Sequence, residues 1–191
     1  MAINENYSSK ENIKQIKEEF NKGEFKAISL QDFFDKETFK KMFINIKGLQ
    51  FKEKRQPNIY NYKIKIAPKH IQAILNSKEI TKLIEEITNN QVKELQFEAF
   101  LFTWKNYTLL HDKAIEKPGI DIIFELTQEW EEHFGGATIY TDTKGNVQKI
   151  MPQANTLSII QRNTNQHKYI QYVNNLSRET RKYFLLATIK T

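Results

Sequence analysis

The chain contains no cysteine among its 191 residues. That excludes a disulfide framework and any thiolate metal site, so a bound metal has to be held by His, Asp or Glu. No apolar run approaches the ~18–20 residues that a membrane helix needs. The N-terminal stretch MAINENYSSKENIKQ lacks the apolar core of a signal peptide. From these two absences we expect a cytoplasmic protein with no membrane contact. Internal repeats and low-complexity segments are also missing, and no Arg-rich cluster or nucleic-acid motif stands out.

What is present is an ordinary globular composition, 39% hydrophobic and 27% charged. The length fits one domain over 1–191, long enough to bury a sizeable core. Lys and Arg outnumber Asp and Glu by 29 to 23, a net charge of +6. A surface of that sign is compatible with association with ribosomal material or nucleic acid. Along most of the chain, however, the two signs alternate, as in KEEFNKGEFK, which reads as solvated faces.

The first half, 1–91, is helix-rich. Ile13, Ile16 and Phe20 recur at helical spacing and predict a helix ending near Gly23. Phe25 to Leu30 reads as a strand. Asp35 is the expected N-cap of a helix that carries Phe39, Met42, Phe43 and Ile46 on one face. Residues 50–67 are basic and aromatic. Within them Tyr60, Tyr62, Ile64 and Ile66 alternate with polar residues and predict a half-exposed edge strand, placed where it can overhang a cleft. Two short helical faces follow, Ile71–Leu75 and Ile80–Ile87, ending at Asn89–Asn90.

From Val92 the period changes from helical to alternating. Strands are predicted near 95–104, 107–111, 120–126, 137–141, 147–150, 156–161, 167–173 and 182–190. A turn falls at Thr143-Lys-Gly-Asn146. Eight short strands over 92–191 with no helical pattern between them favour a closed barrel or sandwich over a parallel sheet.

Several of these segments resemble the 2-oxoglutarate/Fe(II)-dependent dioxygenases of the prolyl 4-hydroxylase type. EFKAISLQDFFDKETFKKM is similar to that family's opening strand, "-FF-" and helix. KNYTLLHD resembles its approach to the first metal ligand, and DIIFELTQEWEEHFGGATIYTD its hairpin with a Trp and a Gly-Gly pair. IMPQANTLSII and RKYFLLATI resemble the strand before the second His and the last strand, which carries a basic residue for 2-oxoglutarate. The resemblance implies an α+β fold, a double-stranded β-helix (jelly-roll) core with N-terminal helices packed on one side. It also implies one Fe(II) on two His and a carboxylate, with 2-oxoglutarate as cosubstrate and ascorbate as an auxiliary reductant. The implied activity is hydroxylation of a side chain in a protein or peptide. The alternative within the same fold is a catalytically inactive barrel that binds protein or nucleic acid.

Carried over residue by residue, the resemblance assigns the metal to His111, Asp112 and His167. It places Gly135 and Gly136 in the hairpin and 2-oxoglutarate on Arg181, with Lys182 beside it as a rival. Two departures stand out. The family spaces its first ligands as His-x-Asp, because residues i and i+2 of a strand share a face. Here that second position is Lys113, and the carboxylate is one place early. The aliphatics after the second His also fit one residue late in HKYIQYV, which would turn Lys168 rather than His167 toward the metal.

Overall fold

The computed structural model describes residues 3–110 and 117–190. Its four α-helices fall where the apolar periodicity predicts. Helix α1 (Lys10–Phe20) starts at Ser9, whose hydroxyl accepts from the Asn12 amide at 3.1 Å. Helix α2 (Lys36–Lys47) starts at Asp35, the expected cap. One carboxylate oxygen accepts from the Thr38 amide at 2.8 Å and the other from the Thr38 hydroxyl at 2.7 Å. Helices α3 (Lys69–Leu75) and α4 (Lys78–Thr88) follow Pro68, and α4 stops at Asn89 in the left-handed conformation.

Eleven antiparallel strands form the described sheet. One layer runs β1 (Ala27–Leu30), β9 (Thr156–Arg162), β6 (Gly119–Glu125), β11 (Lys182–Lys190), β4 (Glu98–Phe102), β3 (Tyr60–Ile66). The other runs β5 (Tyr107–Thr108), β10 (Gln166–Ile170), β7 (Thr138–Asp142), β8 (Val147–Ile150). Strand β3 belongs to both layers: residues 63–66 pair with β4, while Tyr60 and Asn61 pair with β5. The layers thus face each other as a nearly closed jelly roll, with the helices outside. The region 27–66 also contributes to the sheet, so the barrel draws on both halves of the chain.

One strand went unpredicted. Strand β2 (Lys52–Gln56) pairs with β3 from Lys52↔Ile64 to Gln56↔Tyr60, and all five of its residues are exposed. Its sequence KEKRQ has no apolar alternation because neither face is buried. The expected edge position of Tyr60–Ile66 is therefore taken by β2, and β3 is flanked on both sides.

Strand alternation sorts the apolar residues into two cores. On the helix side of the larger layer, Ile120, Ile122, Phe124, Leu157, Ile159, Tyr183, Leu185 and Ala187 pack against Phe20, Met42, Ile46, Ile71, Leu75 and Ile84. Inside the barrel lie Ile64, Phe100, Phe102, Ile123, Tyr140, Ile160, Ile170 and Phe184. The cross-strand pairs Phe100↔Phe184 and Ile64↔Phe100 show that these side chains share one face.

Asn155 ties the helical half to the barrel. Its buried side chain accepts from the Phe34 amide at 3.0 Å and donates to the Phe34 carbonyl at 2.7 Å. Its own carbonyl accepts from Phe33 at 2.8 Å, and its φ is 55°. Asn155→Ala should cost about 2–4 kcal/mol, because it strips two buried backbone groups of partners at a left-handed position. Urea denaturation checks this, with Asn155→Asp, which keeps only the acceptor, expected between wild type and Ala.

Candidate functional site

Strand β6 is buried along its whole length, yet it carries two acids, Asp121 and Glu125. Four residues apart on one strand, they face the barrel interior with Ile123, while Ile120, Ile122 and Phe124 face the helices. An isolated carboxylate in such a setting is strongly disfavoured, so each acid must recruit partners.

Asp121 gathers them from four other strands. One oxygen accepts from the Thr188 hydroxyl at 2.6 Å. The other accepts from the Tyr140 hydroxyl at 2.8 Å and from Lys168 Nζ at 3.0 Å, and Arg162 Nε lies 3.0 Å from it as an ion pair. Arg162 in turn donates through Nη1 to the Lys117 carbonyl at 2.6 Å. Burial pushes the Asp121 pKa up, but Lys168, Arg162 and the two hydroxyls outweigh it and hold the group below the ordinary carboxylate value.

Glu125 lies deeper, facing Lys182 of β11, and both side chains are fully buried. Lys182 Nζ stands 3.1 Å from Oε1 of Glu125, donates to the Gly136 carbonyl at 2.9 Å and sits 4.4 Å above the Phe184 ring. The Thr127 hydroxyl donates to Glu125 at 3.2 Å. Burial raises the Glu125 pKa and lowers that of Lys182, so desolvation presses both partners toward their neutral forms against their mutual attraction.

The Gly-Gly hairpin closes this end. Gly135 and Gly136 have φ of 76° and 73°. A Cβ on Gly135 would meet the Tyr172 carbonyl at 2.2 Å, and one on Gly136 the Trp130 ring at 2.9 Å. Trp130 itself donates from its indole nitrogen to the Gly135 carbonyl at 2.9 Å. The glycines thus let the Gly136 carbonyl reach Lys182, a use of the Gly-Gly pair that only the fold reveals.

Of the expected metal ligands, His167 alone is among the described residues. His111 and Asp112, like Lys113, lie outside the described residues. His167 is on β10 opposite Thr141, whereas its neighbour Lys168 is opposite Tyr140 and reaches Asp121 inside the barrel. Alternation therefore turns His167 to the outer face, and its Nδ1 is buried with no hydrogen-bond partner among the described residues. Arg181 is exposed at the start of β11, while Lys182 points inward; of the two rivals for the cosubstrate anchor, the fold turns Lys182 to the interior. No group of three or more His, Asp or Glu that could hold a metal occurs among the described residues.

Among the described residues, which leave out His111 and Asp112, the barrel interior presents no imidazole to Fe(II). At the inward position of β10 stands an ammonium, which ligates no metal while it keeps its proton, and the nearby carboxylate is held by that ammonium and by a guanidinium. Nor does Lys182 fit the role of a free cation for 2-oxoglutarate, because Glu125 already neutralises it. Sequence reasoning missed Asp121 and Glu125. The available signal was two acids at i and i+4 in an otherwise apolar strand, DIIFE.

Asp121→Asn should cost about 3–5 kcal/mol in urea denaturation at neutral pH, since it leaves two cations facing a neutral amide. Because the folded pKa is depressed, the stabilisation from Asp121 is complete above its unfolded value of about 4 and is lost as pH falls through the folded one. The variant should accordingly show a flatter loss of stability below about pH 4. For the deeper pair, Glu125→Leu and Lys182→Met should each destabilise by about 3–5 kcal/mol, while the two combined should recover most of that loss. A double-mutant cycle measures it.

Comparison with known proteins agrees with this architecture. A 2-oxoglutarate-Fe(II) oxygenase family oxidoreductase from Burkholderia pseudomallei superposes with a TM-score of 0.74 at 8% identity, over 93% of this chain and 90% of that one. A prolyl-4-hydroxylase from Pseudomonas putida gives 0.71 at 9% identity, over 94% and 99%. A prolyl hydroxylase from Trichoplax adhaerens, in complex with a hypoxia inducible factor oxygen degradation domain peptide fragment, gives 0.71 at 12%, over 97% and 96%. Identities this low establish the fold alone. The sequence family described as "Oxoglutarate and iron-dependent oxygenase degradation C-term" matches residues 40–186. This chain, a double-stranded β-helix with its helices on one side, belongs to that family.

Proposed function

We propose that the chain is a protein-binding member of the oxygenase fold that does not itself carry out hydroxylation. The observation that carries this reading is Lys168. It occupies the inward position of β10 and is spent, with Arg162, on the buried carboxylate of Asp121. A strand that presents His there can offer imidazole to a metal; one that presents Lys offers a cation already committed to a neighbour. The Lys113 of the His-x-Asp position is in keeping with this at the level of sequence. That the occupant is a peptide or protein draws support from the Trichoplax adhaerens relative, which was solved with a peptide fragment.

The competing reading is a prolyl-hydroxylase-like dioxygenase using His111, Asp112 and His167 with Fe(II) and 2-oxoglutarate. Thermal unfolding separates the two. A ligand held by the native state alone at 100 times its Kd stabilises by about 2.7 kcal/mol, roughly 5–10 °C for a chain of this size. We expect no shift when Mn(II) and 2-oxoglutarate are added together. A rise of that size requiring both would overturn the proposal in favour of the hydroxylase.

A further inference from the structure

The hairpin of β2 and β3 concentrates the charge of the chain. Residues 51–66 contain five cations, Lys52, Lys54, Arg55, Lys63 and Lys65, against the single acid Glu53, so four of the six net positive charges sit in sixteen residues. Every residue of β2 is exposed. Strand β2 pairs with β3 on one side, and among the described residues no strand pairs with its other side. Among the described residues, a row of backbone N–H and C=O groups is therefore left without a partner strand along an exposed, basic edge.

Lysines on an edge strand commonly serve to prevent self-pairing. Here the same feature also selects. An edge this basic repels a second copy of itself but attracts an extended segment of opposite sign. The pairing register places Lys52 beside Ile64 and Lys54 beside Tyr62 on the face that continues into the barrel, with Gln56 beside Tyr60. An incoming strand whose alternate residues are acidic would set its carboxylates against Lys52 and Lys54 while its backbone completes the ladder.

We infer that the open edge of β2 is a docking site for an extended acidic segment of a partner protein, which adds to the sheet as a further antiparallel or parallel strand. Main-chain hydrogen bonds would supply the affinity and the lysines the sign preference. The inference builds on the protein-binding reading above, but the two fail separately. Metal-dependent stabilisation would undo the first and leave binding at the hairpin unchanged.

The test uses the full chain and a fluorescein-labelled peptide of alternating Glu and Thr, read by fluorescence anisotropy. We expect binding that weakens as salt is raised. It should be lost when alternate peptide amides are N-methylated, and should weaken at least tenfold in a Lys54→Glu, Arg55→Glu variant. A Lys22→Glu, Lys144→Glu variant, with the same net charge altered away from the hairpin, should bind within about twofold of wild type. Circular dichroism checks that both variants fold. Absence of binding overturns the inference. So does binding that survives N-methylation, which would mean a diffuse electrostatic contact, or equal weakening in both variants. Stronger binding by oligo-dT than by the peptide would assign the face to nucleic acid and likewise overturn it.

Discussion

Burying charge inside a barrel governs this structure. Asp121 and Glu125 project from the most enclosed strand into a space otherwise lined by Phe, Ile and Tyr. A lone carboxylate there would be untenable, so the surrounding strands are committed to answering it. Strands β7, β9, β10 and β11 each send a partner to Asp121: Tyr140, Arg162, Lys168 and Thr188. Such networks add little net stability over a well-packed apolar core, but they penalise any register in which one member is misplaced. A slip of one residue in β10 would replace Lys168 with an imidazole or a tyrosine and leave Asp121 short of a cation.

That constraint operates within an architecture shared with proteins of very different sequence. The relatives share the architecture at 8–12% identity. In this chain the fold is carried by strand alternation, a Gly-Gly hairpin with Trp130 against it, and an outer helical layer. What fills the interior is a separate matter. In this chain two carboxylates and their cations are set among the Phe, Ile and Tyr side chains of the interior.

Much of the fold was legible because period is legible. The switch near Val92 from helical to alternating spacing, the cap at Asp35 and the turn at 143–146 each rest on local physics that the sequence displays. Which side chains of the candidate segments face the barrel interior was not legible. His167 against Lys168, and Arg181 against Lys182, are adjacent pairs, and strand parity decides which member enters the barrel. Parity depends on where a strand begins, and local propensity leaves that uncertain by a residue or two. The inner acids escaped notice for a different reason: nothing nearby in sequence announces the side chains that answer Asp121, which arrive from 19 to 67 residues away. Strand β2 escaped because a strand solvated on both faces has no apolar signature.

The way β3 turns the corner has a mechanical side. The two layers are joined there by a joint of only two residue pairs between β3 and β5, and β5 meets β10 at one pair, Ile170↔Thr108. By contrast, β6 runs alongside β9 and β11 for seven pairs each. The wall of the barrel is thus uneven, thick on the helical side and thin along β5. Local breathing concentrates where the fewest bonds must break, so less opposes opening along β5 than along β6. That thin joint lies beside Tyr60 and Asn61, at the root of the basic hairpin, so a strand added along β2 would brace the corner where the two layers meet.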